Sequence, residues 1–202
     1  MRFTKSKKAL LVALLIGGFA LSAGCGGDDD DDNGGPLVAT FTPSNNPPAA
    51  NSLTLQAGSA SGDTFTVLIQ ATAINDVFGA TFDLTYDPDV LDVVSWSAAG
   101  SFLEVGGSVP VFLTFPTDPV DANGTVEFTI SRLAPSPAVD VAGTQTLFSV
   151  TFEATDTVGN TPISFATSPR LVCTGEIDGG TRTCSSVAPV PLFAGGNVSV
   201  SD

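Results

Sequence analysis

Apolar and polar residues alternate along short segments of the chain from about residue 52 onward. In each segment one set of alternate positions is rich in Phe, Val, Ile and Leu, whereas the other set is rich in Thr, Ser and acidic residues. An alternation of period two puts successive side chains on opposite faces, so it predicts half-buried β-strands. The clearest segments are residues 64–69, 78–86, 125–130 and 148–154.

Turn-forming residues separate these segments. No long stretch after residue 24 shows a sustained helical period. Roughly 150 residues of short strands divided by turns predict an all-β sandwich or barrel, large enough to fold on its own core. The turn signals are Ser61-Gly62-Asp63, Asp87-Pro88-Asp89, Asn123-Gly124, Val141-Ala142-Gly143 and Gly159-Asn160.

The first 24 residues have the pattern of an export signal. Four basic side chains in the first eight residues precede an uncharged apolar run that is too short for a comfortable membrane span. The run ends in Leu-Ser-Ala-Gly-Cys at residues 21–25, which resembles the end of a bacterial lipoprotein signal. We therefore predict a signal peptide over residues 1–24 and lipidation of Cys25. A plain signal peptide with an incidental Cys is the alternative.

Residues 25–51 are predicted to be the lipidated Cys and a flexible acidic linker. They include five consecutive Asp residues at 28–32 and several Gly, Pro and Asn residues. Adjacent carboxylates repel each other, so this stretch favours an extended spacer; calcium binding by the Asp run is the alternative. For a short apolar patch at residues 37–41 the sequence leaves two possibilities open: docking on the domain, or remaining part of the linker. Position 26, directly after the Cys, is Gly and not the Asp that retains lipoproteins at the inner membrane. In a host with two membranes this favours delivery to the outer one.

Charge and composition exclude several classes of function. The chain of 202 residues carries a net charge of −14 and contains no His. Without His there are no Ser/His/Asp triads, Cys/His dyads or His metal ligands. Removal of residues 1–24 takes away four of the seven basic side chains and none of the 21 acidic ones, so the net charge falls from −14 to −18. Such a chain is unsuited to nucleic acid, and only a lipid anchor would hold it at an anionic membrane.

No residue pattern predicts catalysis. Paired carboxylates can hydrolyse glycosides without His, but the acidic residues lie mostly in turns or at outward strand positions. The sequence has neither a Gly-rich phosphate loop nor a Ser nucleophile elbow. We therefore predict a non-catalytic protein.

An ordered set of motifs between residues 52 and 201 resembles a cohesin domain. The resemblance implies an all-β, nine-stranded jelly-roll sandwich over residues 52–202, related in fold to some cellulose-binding modules. It also implies binding to dockerins, which are small calcium-loaded helical modules. The motifs are Gly-Asp-Thr-Phe-Thr-Val at 62–67, the segment 77–94 with Tyr-Asp-Pro at 86–88, Gly-Ser-Phe-Leu at 100–103, Asn-Gly-Thr-Val at 123–126, the strand at 143–154 and Gly-Gly-Asn-Val-Ser-Val at 195–200.

The resemblance also implies where a partner binds. In dockerin-binding cohesins, outward residues on the strand before the Tyr-Asp-Pro turn contact the dockerin. The corresponding residues here are Gly79, Thr81, Asp83 and Thr85. Gly79 and Thr81 stand where cellulosomal cohesins often carry Asn and Asp. We therefore expect a dockerin-like or other exported partner, in extracellular assembly or polysaccharide degradation, and the acidic surface suits a basic or calcium-bearing one.

A carbohydrate-binding module of the same sandwich class is the alternative function. Sugar platforms need exposed aromatic side chains, and the chain has a single Trp, Trp96, and a single Tyr, Tyr86. Sandwich modules can also bind polysaccharide through polar, calcium-assisted loops. A spacer without a specific ligand is a third possibility.

Two cysteines remain if Cys25 is lipidated. Cys173 and Cys184 enclose an Asp-Gly-Gly turn at residues 178–180. In an exported protein we expect the two thiols to pair as a structural disulfide, contributing roughly 3 kcal/mol. A redox-active pair is the alternative.

An oxygen-rich loop at residues 118–124 could bind a cation. Asp118, Asp121 and Asn123 carry the oxygen ligands that Ca²⁺ prefers. The same residues are equally typical of a turn that precedes a hairpin.

Overall fold

The computed structural model describes residues 35–119, 122–133, 135–166, 172–174, 176–178, 181–183 and 192–202. They belong to one compact unit, Gly34–Asp202. The predicted signal peptide, Cys25 and the Asp run lie outside the described residues. Within these ranges no helix is long and apolar enough to cross a membrane.

The described elements are almost all strands. In chain order they are β1 (Val38–Pro43), β2 (Ser52–Ser61), β3 (Thr64–Thr72), β4 (Val77–Thr85), β5 (Leu91–Ser97), a 3₁₀ helix (Phe102–Gly107), β6 (Val111–Phe115), β7 (Thr125–Ser131), β8 (Thr144–Ala154), β9 (Val158–Phe165), β10 (Val172–Thr174), β11 (Glu176–Asp178), β12 (Thr181–Thr183), β13 (Leu192–Ala194) and β14 (Gly196–Ser201).

Two sheets pack as a sandwich. The first has the order β1-β14-β9-β4-β7-β6, with β10 also paired to β4, and the second has the order β13-β2-β3-β8-β5. A separate ribbon consists of β11 and β12. The predicted all-β sandwich is confirmed. Nine strands, β2 to β9 and β14, form its main part, and β1, β10 and β13 add to it.

The first strand lies inside the predicted linker. β1 pairs antiparallel with β14, from Val38 opposite Ser201 to Pro43 opposite Gly196. Ala39 and Phe41 point into the core and are buried. A strand of the sandwich therefore lies before residue 52, within the predicted linker, and its pairing with β14 places it there.

Aromatic rings from both sheets fill the core. Phe128 of β7 is fully buried. Its ring lies 4.7 to 6.1 Å, between centroids, from those of Phe148, Trp96, Phe82 and Phe112. Such ring pairs contribute stabilisation beyond the area that they bury. Phe128 is therefore the side chain on which the packing between the sheets converges.

Tyr86 directly follows β4 and is buried. Its hydroxyl donates a hydrogen bond to the carbonyl oxygen of Ala122 at 3.1 Å, and its ring meets that of Phe152 edge to face at 5.5 Å. Burial raises the pKa of the phenol above its ordinary value of 10.0; a backbone hydrogen bond at Gly124 opposes this effect, and the negative charge of Asp92 adds to it. The folded chain therefore holds this proton more tightly than the unfolded chain.

The raised pKa of Tyr86 predicts a loss of stability in alkali. The stabilisation is fully present below pH 10, and it is lost as the pH rises from there through the pKa of the folded state. Tyr86→Phe should remove this fall in the free energy of unfolding, at a cost of about 1 kcal/mol near neutral pH for the lost hydrogen bond. Because Tyr86 is the only Tyr of the chain, tyrosinate absorbance measures its titration directly. A midpoint at or below 10 in the folded protein would contradict the prediction.

Candidate functional site

One face of the first sheet combines polar and apolar side chains. Register forms three rows across β4, β7 and β6: Ser131 lies between Gly79 and Val111, Thr129 between Thr81 and Leu113, and Glu127 between Asp83 and Phe115. Residues that lie directly opposite each other share a face of the sheet. We call this surface the β4–β7–β6 face. Its outward residues are Gly79, Thr81, Asp83 and Thr85 on β4, Thr125, Glu127, Thr129 and Ser131 on β7, and Val111, Leu113 and Phe115 on β6.

The apolar part of this face lies on an edge strand. Val111, Leu113 and Phe115 are 38%, 62% and 74% exposed, and Val109, two residues before Val111, is 79% exposed. Within the described residues β6 pairs only with β7. Edge strands of soluble domains usually carry charges that prevent association, so an apolar row at this place indicates a binding surface.

Sequence reasoning did not find this row. Phe112 points inward and packs against Phe128 and Phe148, with ring centroids 6.1 and 5.7 Å apart. Because positions 111, 112, 113 and 115 are all apolar, the strand has no alternation to show which face is buried. The exposed row at Val111, Leu113 and Phe115 follows only from the register with β7.

Three of the predicted contact residues lie together on β4. Thr81 shares a hydrogen bond with Thr129 through their hydroxyl oxygens, 2.9 Å apart. The Thr85 hydroxyl donates to the carbonyl oxygen of Ser164 at 3.3 Å. Asp83 lies directly opposite Glu127. The polar half of the face is thus an ordered hydroxyl row next to two carboxylates; partner contact by Thr81, Asp83 and Thr85 stays a prediction.

Gly79, the fourth predicted contact residue, has a packing role in this structure. It is buried, and a Cβ at this position would lie 2.6 Å from the carbonyl oxygen of Ile130 and 3.0 Å from Cβ of Ser131. A side chain there would force β4 and β7 apart. Gly79 therefore allows the close approach of the two strands, and contact with a partner would involve its backbone only.

A pocket of about 610 Å³ opens at the row formed by Asp83, Glu127 and Phe115. Asp83 and Glu127 line it from the two inner strands, and the ring of Phe115 lines it from β6. The Oδ1 atom of Asp83 is buried and accepts no hydrogen bond from the described residues. The remaining lining residues are Pro116, Thr117, Asn123 and Thr125.

Arg132 anchors the segments that flank the start of β6. The side chain is only 4% exposed. Its Nη1 donates to the carbonyl oxygen of Pro137 and its Nη2 to that of Val105, each at 2.6 Å. The guanidinium thereby ties the 3₁₀ helix and the loop after β7 to the same end of the face.

Replacing Arg132 should therefore cost considerable stability. Arg132→Met leaves the two carbonyl groups without their charged donor, and we expect a loss of about 3 kcal/mol in the free energy of unfolding. Arg132→Lys keeps the charge but has one compact head group for two acceptors, so its loss should be intermediate. Chemical denaturation measures both. A loss below about 0.5 kcal/mol for Arg132→Met would show that the bridge is not structurally important.

The predicted calcium ligands are only partly described. Asp118 and Asn123 are exposed, and Asp121 lies outside the described residues. Across the part of the chain that the structure describes, no group of three or more acidic or Cys side chains could hold a metal ion. Gly124, at φ +72°, accepts a hydrogen bond from the Tyr86 amide at 3.0 Å. This stretch therefore forms the turn that leads into β7, and calcium binding stays untested.

The predicted disulfide cannot be located. Cys173 lies in β10, opposite Gly79, whereas Cys184 lies outside the described residues. Pairing of the two cysteines stays a prediction.

The two aromatic side chains considered for sugar binding are committed to the interior. Trp96 is only partly exposed and packs edge to face on Phe128 at 5.6 Å, and Tyr86 is buried. Neither offers a flat exposed ring. The carbohydrate-binding alternative therefore gains no support from them.

Comparison with known proteins agrees with this fold. The family model "Cohesin domain" matches residues 52–176. A type II cohesin domain from the cellulosome of Acetivibrio cellulolyticus is 20% identical over 75% of this chain and 95% of its own, with a TM-score of 0.48. A non-cellulosomal cohesin from the hyperthermophilic archaeon Archaeoglobus fulgidus is 16% identical over 72% and 88%, with a TM-score of 0.44.

A third similar structure contains a partner. The sixth cohesin of scaffoldin B from Acetivibrio cellulolyticus, in complex with a mutant Cel5 dockerin, is 14% identical over 72% of this chain and 96% of its own, with a TM-score of 0.45. No curated protein matches the chain. The family model covers more than half of the chain, and the resemblance predicted from its motifs is confirmed. The chain belongs to the cohesin family, whose domains are non-catalytic protein-interaction modules.

Proposed function

We propose that this chain binds a dockerin-like exported protein through the β4–β7–β6 face. The observation that carries the proposal is the exposed apolar row of β6 beside the ordered polar rows of β7 and β4. Protein interfaces combine exposed apolar anchors with a polar surround in this way. Membership of the cohesin family supports a protein as the ligand.

The geometry suits a rigid, preformed interface. Three adjacent strands hold the face, and their inward side chains Phe82, Phe128 and Phe112 belong to the aromatic core. Hydroxyl groups on β4 and β7 are ordered by the hydrogen bond between Thr81 and Thr129. Because little conformational entropy remains to be lost there, binding energy is not spent on ordering the surface.

The protein is further proposed to be a lipoprotein of the cell envelope, delivered to the outer membrane. Support comes from the export signal at residues 1–24, the Cys at position 25 and the acidic segment that follows. The anchored module would hold its partner in an extracellular assembly that degrades polysaccharide. Metabolic labelling with a radioactive fatty acid tests the anchor: label should enter the full chain and be absent from Cys25→Ser, and equal labelling of both would refute it.

Affinity capture tests the binding function. The full chain, used as bait on the exported proteins of the source organism, should recover a protein with duplicated dockerin-like calcium loops. Thr81→Lys should lose this protein, because a charged side chain then projects from the middle row. Val94→Lys is the matched control, since Val94 is 45% exposed on β5 at the edge of the other sheet. Equal recovery by Thr81→Lys and the control would refute the assignment of the face.

A further inference from the structure

The turn that leads into β7 carries the acceptor sequence for N-linked sugar. Residues 123–125 read Asn-Gly-Thr, which is an Asn and a Thr separated by one residue other than Pro. In an exported protein this pattern marks an asparagine that can receive a glycan, and the modified asparagine belongs to a surface loop. The pattern occurs once more in the chain, as Asn-Val-Ser at residues 197–199. The sequence alone makes the two positions equivalent.

The structure holds the backbone on both sides of Asn123 and leaves its side chain in water. The Tyr86 hydroxyl donates to the carbonyl oxygen of Ala122 at 3.1 Å, and the Tyr86 amide donates to that of Gly124 at 3.0 Å. Asn123 and Thr125 are exposed, and within the described ranges no hydrogen bond engages either side chain. The amide and the hydroxyl of the acceptor sequence are therefore both presented to solvent on a fixed turn.

The second acceptor sequence lies inside a sheet. Asn197 belongs to β14, which pairs with β1 on one side and with β9 on the other, so that Asn197 lies opposite both Thr42 and Pro162. To enter the active site of a transferase, this strand would have to leave both neighbours, whereas a surface turn is accessible in the folded chain. The fold thus distinguishes two positions that the sequence does not.

We propose that Asn123 is N-glycosylated on the folded chain and that Asn197 is not. The donor is a sugar activated by a diphosphate group. Nδ2 of Asn123 forms a bond to the anomeric carbon of the sugar, while the bond from that carbon to the diphosphate oxygen breaks and the diphosphate leaves with the electron pair. The amide proton passes to a base of the transferase. The Thr125 hydroxyl is the second group that the transferase recognises.

The site lies at the edge of the β4–β7–β6 face. Asn123 lines the pocket of about 610 Å³ together with Phe115 and Thr117. Sugar attached there would stand beside the apolar row of β6 and would exclude a partner from this end of the face. This consequence rests on the proposed function: the chain that carries sugar should bind its partner more weakly than the chain that does not.

Mass spectrometry of the full chain, purified from the source organism, tests the site without a partner. Cleavage after glutamate releases residues 105–127, whose only Asn is Asn123, and residues 177–202, whose only Asn is Asn197. We expect the first fragment to be heavier than its sequence by one or more sugar residues, and Asn197 to carry none. A first fragment without sugar, or sugar on Asn197, would overturn the proposal.

Two substitutions at Thr125 separate this site from sugar on a neighbouring hydroxyl group. Thr125→Ser keeps the hydroxyl and should keep the added mass, whereas Thr125→Val keeps the branched shape and should lose it. Asn123→Gln should lose the added mass as well, and Asn197→Gln is the matched control that should keep it. Added mass that survives Asn123→Gln would overturn the proposal. Trp96 fluorescence reports whether each variant is folded.

Failure of this site is distinct from failure of the proposed function. If the full chain captures a partner while residues 105–127 carry no sugar, the proposed function stands and the site fails. If the fragment carries sugar while no partner is captured, the site stands and the proposed function fails. Where both hold, Asn123→Gln should bind the captured partner several-fold more tightly than the glycosylated chain. Equal affinities would show that the sugar does not shield the face.

Discussion

Replacing Leu113 with lysine should weaken binding of the partner about 100-fold or more. Leu113 lies in the middle of the apolar row, 62% exposed, next to Thr129 of β7. At the centre of an interface, loss of an apolar anchor and burial of a charge together cost about 3 kcal/mol or more. A cationic partner would add repulsion. Isothermal titration calorimetry with the purified captured partner measures the change.

The matched control for Leu113→Lys is again Val94→Lys. Both positions are exposed and apolar on edge strands, but they belong to different sheets. The control should retain an affinity within about twofold of the parent, because surface substitutions away from an interface change little. Equal affinity of Leu113→Lys and the parent would show that the β6 row lies outside the interface.

Truncating Phe128 should cause the largest loss of stability. Its ring is fully buried among aromatic side chains of both sheets. Phe128→Ala removes those contacts and leaves a cavity that close-packed neighbours cannot fill, so we expect a loss of about 4 kcal/mol. Denaturant unfolding of the full chain, followed by Trp96 fluorescence, measures it.

Phe115, an exposed aromatic residue on the same sheet, provides the control for Phe128→Ala. Phe115→Ala makes the same chemical change at a side chain that is 74% exposed. Its effect on the free energy of unfolding should stay within about 0.5 kcal/mol, because the ring is already in water. If the two substitutions cost the same, the core would not converge on Phe128.

The strands were predictable where one phase of the alternation is polar. Along 125–130, Thr and Glu alternate with Val126, Phe128 and Ile130, and the structure buries the apolar set. The pattern failed at β1, because Ala39 and Phe41 lie among Pro, Asn and Gly residues that are typical of a linker. It failed also at β6, where the outward residues Val111, Leu113 and Phe115 are apolar and the inward phase holds Phe112 and Thr114. In each of these places non-local pairing decides which face is buried.

The candidate site depended on register, which a single sequence does not reveal. The resemblance to cohesins placed Thr81, Asp83 and Thr85 on one strand, and the structure brings them onto one face. It could not show that Glu127 lies opposite Asp83, since the two residues are 44 positions apart in the chain. Nor could periodicity show that Gly79 faces the backbone of β7 at close range. The close approach of two strands depends on how they pack in three dimensions, which the order of residues along the chain does not show.

Hydrogen exchange of the full chain, with and without the captured partner, tests most directly where the partner binds. If the β4–β7–β6 face is the interface, amide exchange should slow in Val111–Phe115, Thr125–Ser131 and Val77–Thr85, and most in β6, whose outer edge is unpaired within the described residues. Exchange in β3 and β8 at the centre of the other sheet should stay unchanged. Protection confined to β3, β8 or β5, with none in β6 and β7, would contradict the assignment.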